Sequence, residues 1–182
     1  MRIFELRPDV EGYRWLTLVR ESDFNVLSDL DGSPVSTDWV ALTAEWIDDD
    51  LNAGKPKSDF PTLGATPVFS QRAVDELFDV LVENGELLPL SVDDGTYYVY
   101  NTTRIIDALD EERSSVVRFS TGEVMRIAKY VFRDDAAFLP IFRLPQSRVK
   151  VFVTGPFVDR VKASALTGFD FRLVWDGPNG AR

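Results

Sequence analysis

Histidine and cysteine are both absent from the 182-residue sequence. Without histidine the chain has no imidazole to serve as a general base, a proton shuttle or a metal ligand. Without cysteine it has no disulfide, no thiolate nucleophile and no zinc or iron–sulfur site built on thiolates. Catalytic triads of the serine–histidine and cysteine–histidine types are therefore excluded.

Long apolar runs and phosphate-binding motifs are missing as well. The longest apolar stretch covers residues 136–142 and is interrupted by Pro140, whereas a membrane-spanning helix needs roughly 20 apolar residues. Residues 1–11 carry charges every few positions and lack the apolar core of a secretory signal. The patterns G-x-x-x-x-G-K-S/T, G-x-G-x-x-G and G-x-S-x-G do not occur. We therefore expect a cytoplasmic protein with no membrane contact.

Acidic residues dominate the charge, with 30 Asp and Glu against 20 Lys and Arg, for a net charge of −10. Residues 1–91 hold 18 acidic and 7 basic side chains, whereas residues 92–182 hold 12 and 13. The window 21–59 contains ten acidic residues and only two basic residues, Lys55 and Lys57. A net anion repels phosphate, so we do not expect direct binding of nucleic acid. The window is either a solvated face or a landing surface for a cationic partner.

The composition is that of a globular protein, with 45% hydrophobic and 12% aromatic residues. A chain of this length buries enough surface to fold without a disulfide or a metal. We expect a single domain over residues 1–182. The alternative is two lobes, an acidic N-terminal β lobe over about residues 1–52 and an α+β core over 62–176. The sequence leaves the oligomeric state open.

Two segments have the apolar spacing of amphipathic helices. The first is predicted over about residues 71–84, with Ser70 as its N-cap and a left-handed stop at Asn84-Gly85. Its predicted buried face consists of Ala73, Val74, Leu77, Phe78 and Leu81. The second is predicted over about residues 156–166, with Pro156 in its first turn.

Most of the remaining pattern has the period of two that is typical of strands. Strands are predicted over residues 2–6, 13–19, 39–47, 97–101, 115–119, 125–132, 149–153 and 169–175. Asp94-Gly95 and Thr121-Gly122 lie between such segments and predict hairpin turns, which favours antiparallel pairing. We therefore expect the α+β class, mainly antiparallel β-sheet with two principal helices.

Carboxylates are the main remaining candidates for chemistry. The run Asp48, Asp49 and Asp50 lacks the spacing of an EF-hand, and its adjacent side chains point in different directions. Asp107, Asp110, Glu111 and Glu112 could supply the acid pair of a small hydrolase that uses a divalent metal. Alternatively, these acids simply face solvent or pair with Arg104.

The four tryptophans raise the alternative of a glycan-binding module, since exposed indole rings form flat binding platforms. Core packing is the commoner role of such residues. Trp39 and Trp46 differ by seven positions, so on a regular strand they face opposite sides. We expect Trp39 to be the more exposed of the two.

Several short phrases together resemble a bacterial family, first catalogued as a domain of unknown function, of immunity proteins from polymorphic toxin systems. The likeness spans roughly residues 55–176. The phrases are Lys57-Ser58-Asp59-Phe60-Pro61, Phe69-Ser70, Asn84-Gly85-Glu86-Leu87-Leu88-Pro89-Leu90, Tyr98-Val99-Tyr100-Asn101-Thr102-Thr103, Ile106-Asp107-Ala108-Leu109-Asp110, and Leu166-Thr167-Gly168-Phe169-Asp170-Phe171 with Trp175.

This resemblance implies an antidote that binds the toxin encoded beside it and blocks the toxin's active site. Such a protein is not an enzyme and needs no cofactor or metal. Toxin nucleases carry cationic substrate-binding surfaces, to which an acidic partner is complementary. The predicted partner is thus a cognate protein toxin. The predicted partner-binding residues are Asp38, Trp39, Glu45, Asp48, Asp49 and Asp50.

Overall fold

The computed structural model describes residues 1–177, which form eleven strands and three helices. The strands are β1 (Arg2–Pro8), β2 (Leu16–Leu18), β3 (Leu42–Trp46), β4 (Val68–Ser70), β5 (Gly85–Val92), β6 (Gly95–Thr102), β7 (Ser115–Arg118), β8 (Val124–Lys129), β9 (Ile141–Leu144), β10 (Ser147–Thr154) and β11 (Phe169–Asp176). The helices are α1 (Asp23–Ser28), α2 (Gln71–Asn84) and α3 (Gly155–Ala163). None of these three helices has the length and apolar character needed to span a bilayer.

The strands form two sheets and a separate ribbon. Sheet A has the order β11-β1-β10-β9 and is antiparallel throughout. Sheet B has the order β2-β3-β5-β6-β4, in which only the β3–β5 pair is parallel. The ribbon pairs β7 with β8. The predicted α+β class with mainly antiparallel sheet is confirmed.

The N-terminal strands are distributed over both sheets. β1 lies between β10 and β11 in sheet A, whereas β2 and β3 lie at one edge of sheet B. Residues 1–52 are thus hydrogen-bonded into sheets whose other strands come from residues 62–176.

Helix α2 begins and ends where the sequence predicts and packs against strands of both sheets. Ser70 caps it, since its Oγ accepts a hydrogen bond from the Ala73 amide at 3.1 Å. The buried face consists of Ala73, Val74, Leu77 and Leu81. Phe78 was wrongly assigned to this face, because its side chain is 56% exposed.

The sequence predicts a left-handed turn at Gly85 that ends α2, and this prediction is wrong. The φ of Gly85 is −176°, and the chain passes directly into β5, which the sequence analysis missed. A close approach excludes a side chain here: a Cβ would lie 2.5 Å from the Asn101 carbonyl oxygen and 2.6 Å from the Tyr100 ring. The reason for glycine at this position is therefore steric contact with β6, not backbone conformation.

Helix α3 confirms the second predicted helix but ends at Ala163, three residues before the predicted boundary. Pro156 lies in its first turn, as expected. Gly168 follows with a φ of +84°, a conformation that favours glycine.

The remaining differences concern short elements. The hairpins predicted at Asp94-Gly95 and Thr121-Gly122 are confirmed as the β5–β6 and β7–β8 connections. The short elements α1, β4 and β9 were not predicted, because three to six residues carry little periodic signal. The strand predicted over 39–47 begins only at Leu42, so Asp38 and Trp39 lie in the loop before β3.

Candidate functional site

One acidic residue of the 21–59 window, Asp59, is buried and hydrogen-bonded inside the protein. Asp59 is only 7% exposed and accepts four hydrogen bonds. One carboxylate oxygen accepts from the Ser70 hydroxyl at 2.9 Å. The other accepts from Arg72 Nη1 at 2.6 Å and from the amide and hydroxyl of Thr167 at 2.9 and 3.0 Å. Asp59 therefore ties the loop before β4 to the start of α2 and to the loop before β11.

Two further acids of this window are paired with arginines. Asp23 is buried in α1 and lies 3.1 Å from Arg20 Nε. Asp31 lies 2.9 Å from Arg148 Nη1 and also accepts from the Ser33 amide. Hydrogen bonds from Ser33, followed by the one from Arg148, lower the pKa of Asp31 below its ordinary value. These acids stabilise α1 and the loop that follows it.

The predicted triplet that follows β3 is only partly available to a partner. Asp48 lies 3.5 Å from Arg14, although its side chain remains 92% exposed. Asp49 accepts from the amide and the side chain of Asn52 at 2.9 and 2.7 Å, and these bonds lower its pKa. Asp50 is exposed and has no hydrogen-bond or ion-pair partner within residues 1–177.

Asp38 and Trp39 line a groove between α1 and the start of β3. The groove has a volume of about 390 Å³. The Trp39 ring is half-buried against the core, and its Nε1 donates to the Pro89 carbonyl at 3.0 Å. We call this feature the acidic groove and define it by Asp29, Asp38, Trp39, Val26 and Val40, which all line it. Val26 and Val40 are 41% and 74% exposed. Arg20, which pairs with Asp23, also lines the groove, so apolar, acidic and basic groups share one surface.

Glu45 lies on the solvent side of β3, opposite the buried Leu42 and Ala44. The structure thus separates the predicted residues along β3. Asp38 and Trp39 precede the strand, Glu45 is on it, and the triplet follows it. Within residues 1–177, five exposed acids of the 21–59 window have no hydrogen-bond or ion-pair partner for their carboxylates: Glu21, Asp29, Asp38, Glu45 and Asp50.

Glu86 holds the loop that carries Asp38 and Trp39, and the sequence analysis missed this role. Its carboxylate accepts from the Val35 amide at 2.9 and 3.1 Å, from the Ser36 amide at 2.9 Å and from Asn101 Nδ2 at 3.0 Å. Burial raises the pKa of Glu86, but the hydrogen bonds from Ser36, Val35 and Asn101 outweigh it, so the net pKa is lowered. The separation of about 50 residues left no local signal for this contact.

The tryptophans do not form an open platform among the described residues. Trp15, Trp46 and Trp175 are all half-buried. Trp15 Nε1 donates to the Val10 carbonyl, and Trp46 Nε1 donates to Asp94 at 2.8 Å. Trp39, expected to be the more exposed of its pair, is half-buried like Trp46.

Three of the four carboxylates considered for catalysis, those of Asp107, Asp110 and Glu111, are paired with arginines, whereas Glu112 is exposed. Asp107 lies 3.3 Å from Arg133, and Asp110 lies 2.5 Å from Arg113 Nε. The hydrogen bonds from Arg113 lower the pKa of Asp110. Across residues 1–177 no three acidic side chains converge as a metal site would require.

Residues 89–176 match the sequence model of the immunity protein family Imm11. The match begins within β5, ends with β11 and contains the phrases at 98–103, 106–110 and 166–171. It confirms the resemblance over residues 89–176, leaves the phrases before residue 89 outside the match, and supports the role of an immunity protein. The acidic groove lies outside the matched segment. No curated protein matches the chain.

Proposed function

We propose that this chain, through the part that matches an immunity protein family, acts as the antidote to a secreted bacterial toxin in the cytoplasm. The antidote binds the cognate toxin domain and covers its active site. The observation that carries the proposal is the family match over residues 89–176. Neither a cofactor nor a catalytic residue is required for such a role.

The surface that we assign to the toxin comprises the acidic groove, the outer side of β3 and the segment that follows β3. Its exposed acids, Asp29, Asp38, Glu45 and Asp50, have no partner within residues 1–177. Such carboxylates keep their charge available for a cationic partner, because no cation of residues 1–177 lies within ion-pair distance of them and the nearby Arg20 is paired with Asp23. Val40 supplies exposed apolar area beside them. Interfaces gain most of their affinity from desolvated apolar contacts and gain association rate from charge.

A nuclease toxin is the partner class that this charge favours. A nuclease must attract phosphate, so its substrate-binding surface is cationic. Carboxylates at the acidic groove occupy the position of substrate phosphates, and the body of the protein then prevents the nucleic acid from entering. The mechanism is therefore substrate mimicry combined with occlusion.

Calorimetric titration with the catalytically disabled toxin domain encoded by the adjacent gene tests this function. We expect one-to-one binding that weakens between low and physiological salt, because screening reduces the attraction between exposed charges. The absence of binding at both salt concentrations would overturn the pairing. Tight binding without salt dependence would keep the antidote role and remove the acidic surface from it.

Charge reversal of free acids tests the surface itself. Replacing Asp38, Glu45 and Asp50 together with lysine should slow association about tenfold or more at low salt. A control variant with the same change in net charge carries lysine in place of Glu83, Glu112 and Asp159. These three residues are exposed and lie outside the 21–59 window. Equal slowing in both variants would mean that only net charge matters and would contradict the assigned surface.

A further inference from the structure

Arg143 is a buried cation without a counterion. It lies on β9 and is 3% exposed, and no carboxylate lies within ion-pair distance of its guanidinium in the described part of the chain. Nη1 donates to the carbonyls of Leu30 and Arg148 at 2.6 and 2.5 Å, whereas Nε is buried without a partner. Burial lowers the pKa of Arg143, but an arginine stays charged in proteins. A buried charge is costly unless an anion compensates it.

The nearest candidate counterion serves another residue. Asp31 raises the pKa of Arg143 through its charge, yet its carboxylate is bound by Arg148 at the surface. Within residues 1–177 the guanidinium of Arg143 is thus bound by two backbone carbonyls and by no carboxylate.

Arg143 forms part of the wall of an open pocket of about 330 Å³. It is the only charged side chain among the described residues that line this pocket. The other walls are largely apolar and include Leu27, Leu30, Leu63 and Val149. An apolar pocket with a single cation suits a ligand that combines an apolar body with a carboxylate, because arginine binds carboxylates through charge-assisted hydrogen bonds.

The pocket continues into a second groove of about 420 Å³. The two share Gly64, Ala65, Pro67 and Val149 as lining residues. The second groove follows the place where β1 and β10 stop pairing. Their ladder ends at Glu5 opposite Phe152, although β1 continues to pair with β11 as far as Pro8.

The end of this ladder leaves two strand segments beside the groove, residues 6–8 of β1 and residues 149–151 of β10. Neither is paired with the other strand in the ladder. Unpaired strand backbone is a template for an added extended peptide. Strand backbone beside the groove therefore favours a polypeptide over a small molecule.

We propose that this continuous groove binds the extended C-terminal segment of a polypeptide partner, with its terminal carboxylate on the Arg143 guanidinium. The apolar side chain of the last residue packs against Leu63 and Val149, and the preceding residues lie along residues 149–151 of β10. This site is separate from the acidic groove and stands whether or not the toxin binds there.

The test uses the full chain and the peptide acetyl-valyl-threonyl-valyl-leucine, with either a free C-terminal carboxylate or a C-terminal amide. Nitrogen-15 NMR titration follows the Arg143 Nε–H signal and the amides of Ala65 and Val149. We expect the acid to shift these signals and to bind roughly tenfold more tightly than the amide, because only the acid supplies the missing negative charge. Equal affinity of acid and amide, or shifts that spare Arg143, would overturn the proposal.

A pair of variants at the rim controls for folding. Val149 is 70% exposed, so its replacement leaves the core intact. Val149→Asp places a repelling carboxylate beside the pocket and should weaken the acid peptide about tenfold, whereas Val149→Thr, of similar shape, should change its affinity less than about twofold. If inorganic phosphate shifts the same signals with the affinity of the acid peptide, the site is a general anion site and the peptide assignment is wrong.

Discussion

Replacing Asp59 with alanine should destabilise the fold strongly. The substitution removes four accepted hydrogen bonds. It leaves the buried Ser70 hydroxyl and the partly buried Thr167 amide without their acceptor, whereas Arg72 is 54% exposed and regains water. Hydrogen bonds to a charged group contribute about 1.5–3 kcal/mol each, and a donor that can return to water offsets part of the loss. We therefore expect the free energy of unfolding to fall by about 3–5 kcal/mol.

Urea denaturation followed by circular dichroism measures this change. Asp170→Ala is the matched control, since Asp170 also pairs with an arginine, Arg7, but at a surface where both side chains are 40% or more exposed. An exposed pair of this kind contributes about 0–1 kcal/mol. If Asp59→Ala lowers stability no more than Asp170→Ala does, Asp59 is not the structural link between the start of α2 and the loop before β11.

Three further substitutions test the local structure. Leu77→Ala should cost about 2–5 kcal/mol of stability and Phe78→Ala much less in urea melts, since only Leu77 is buried. Gly85→Ala should cost about 1–3 kcal/mol in the same assay because its Cβ meets the β6 backbone; a neutral effect would remove the steric argument. Glu86 has a lowered pKa, so its stabilisation is present above the unfolded value of 4.5 and is lost at lower pH. Glu86→Gln should therefore flatten the acidic limb of a stability–pH curve, and an unchanged limb would contradict the lowered pKa.

Helix α2 shows how much local sequence could predict. Its start depends on the Ser70 cap and its buried face on spacing, both of which are local. At about 100° per residue, Ala73, Leu77, Leu81 and Val74 fall within an arc of about 100°, and Phe78 falls about 40° beyond its edge. Apolar character alone therefore assigned Phe78 to the core, and only the packing of α2 against the strands shows where the buried arc ends.

Strand β5 could not be predicted from the same local signals. Gly85 and Pro89 are both residue types that usually interrupt a strand. Each is accommodated here by contact with a strand that is distant in the sequence. Gly85 admits the approach of β6, and the β3 ladder begins only at Leu90, one residue after Pro89. The Pro89 carbonyl accepts a hydrogen bond from the Trp39 indole, and the two residues are 50 positions apart in the sequence. Such contacts are set by the tertiary structure and leave no periodic pattern.

The charge pattern located the acidic window but could not separate its members. Asp48, Asp49 and Asp50 are the same residue type, yet in the structure Asp48 pairs with Arg14 and Asp49 accepts hydrogen bonds from Asn52. The Asp38 carboxylate has no partner within residues 1–177, and Glu86 accepts hydrogen bonds from the backbone amides of the loop before it. The choice of acids for charge reversal therefore required the structure.

Titration of active toxin with this protein tests the antidote role most directly. The proposed partner, a nuclease toxin domain expected from the adjacent gene, is assayed for nuclease activity while the full chain is added in increments. The account predicts a linear loss of activity that reaches zero at one equivalent, because each bound antidote covers one active site. Undiminished activity at several equivalents would contradict it.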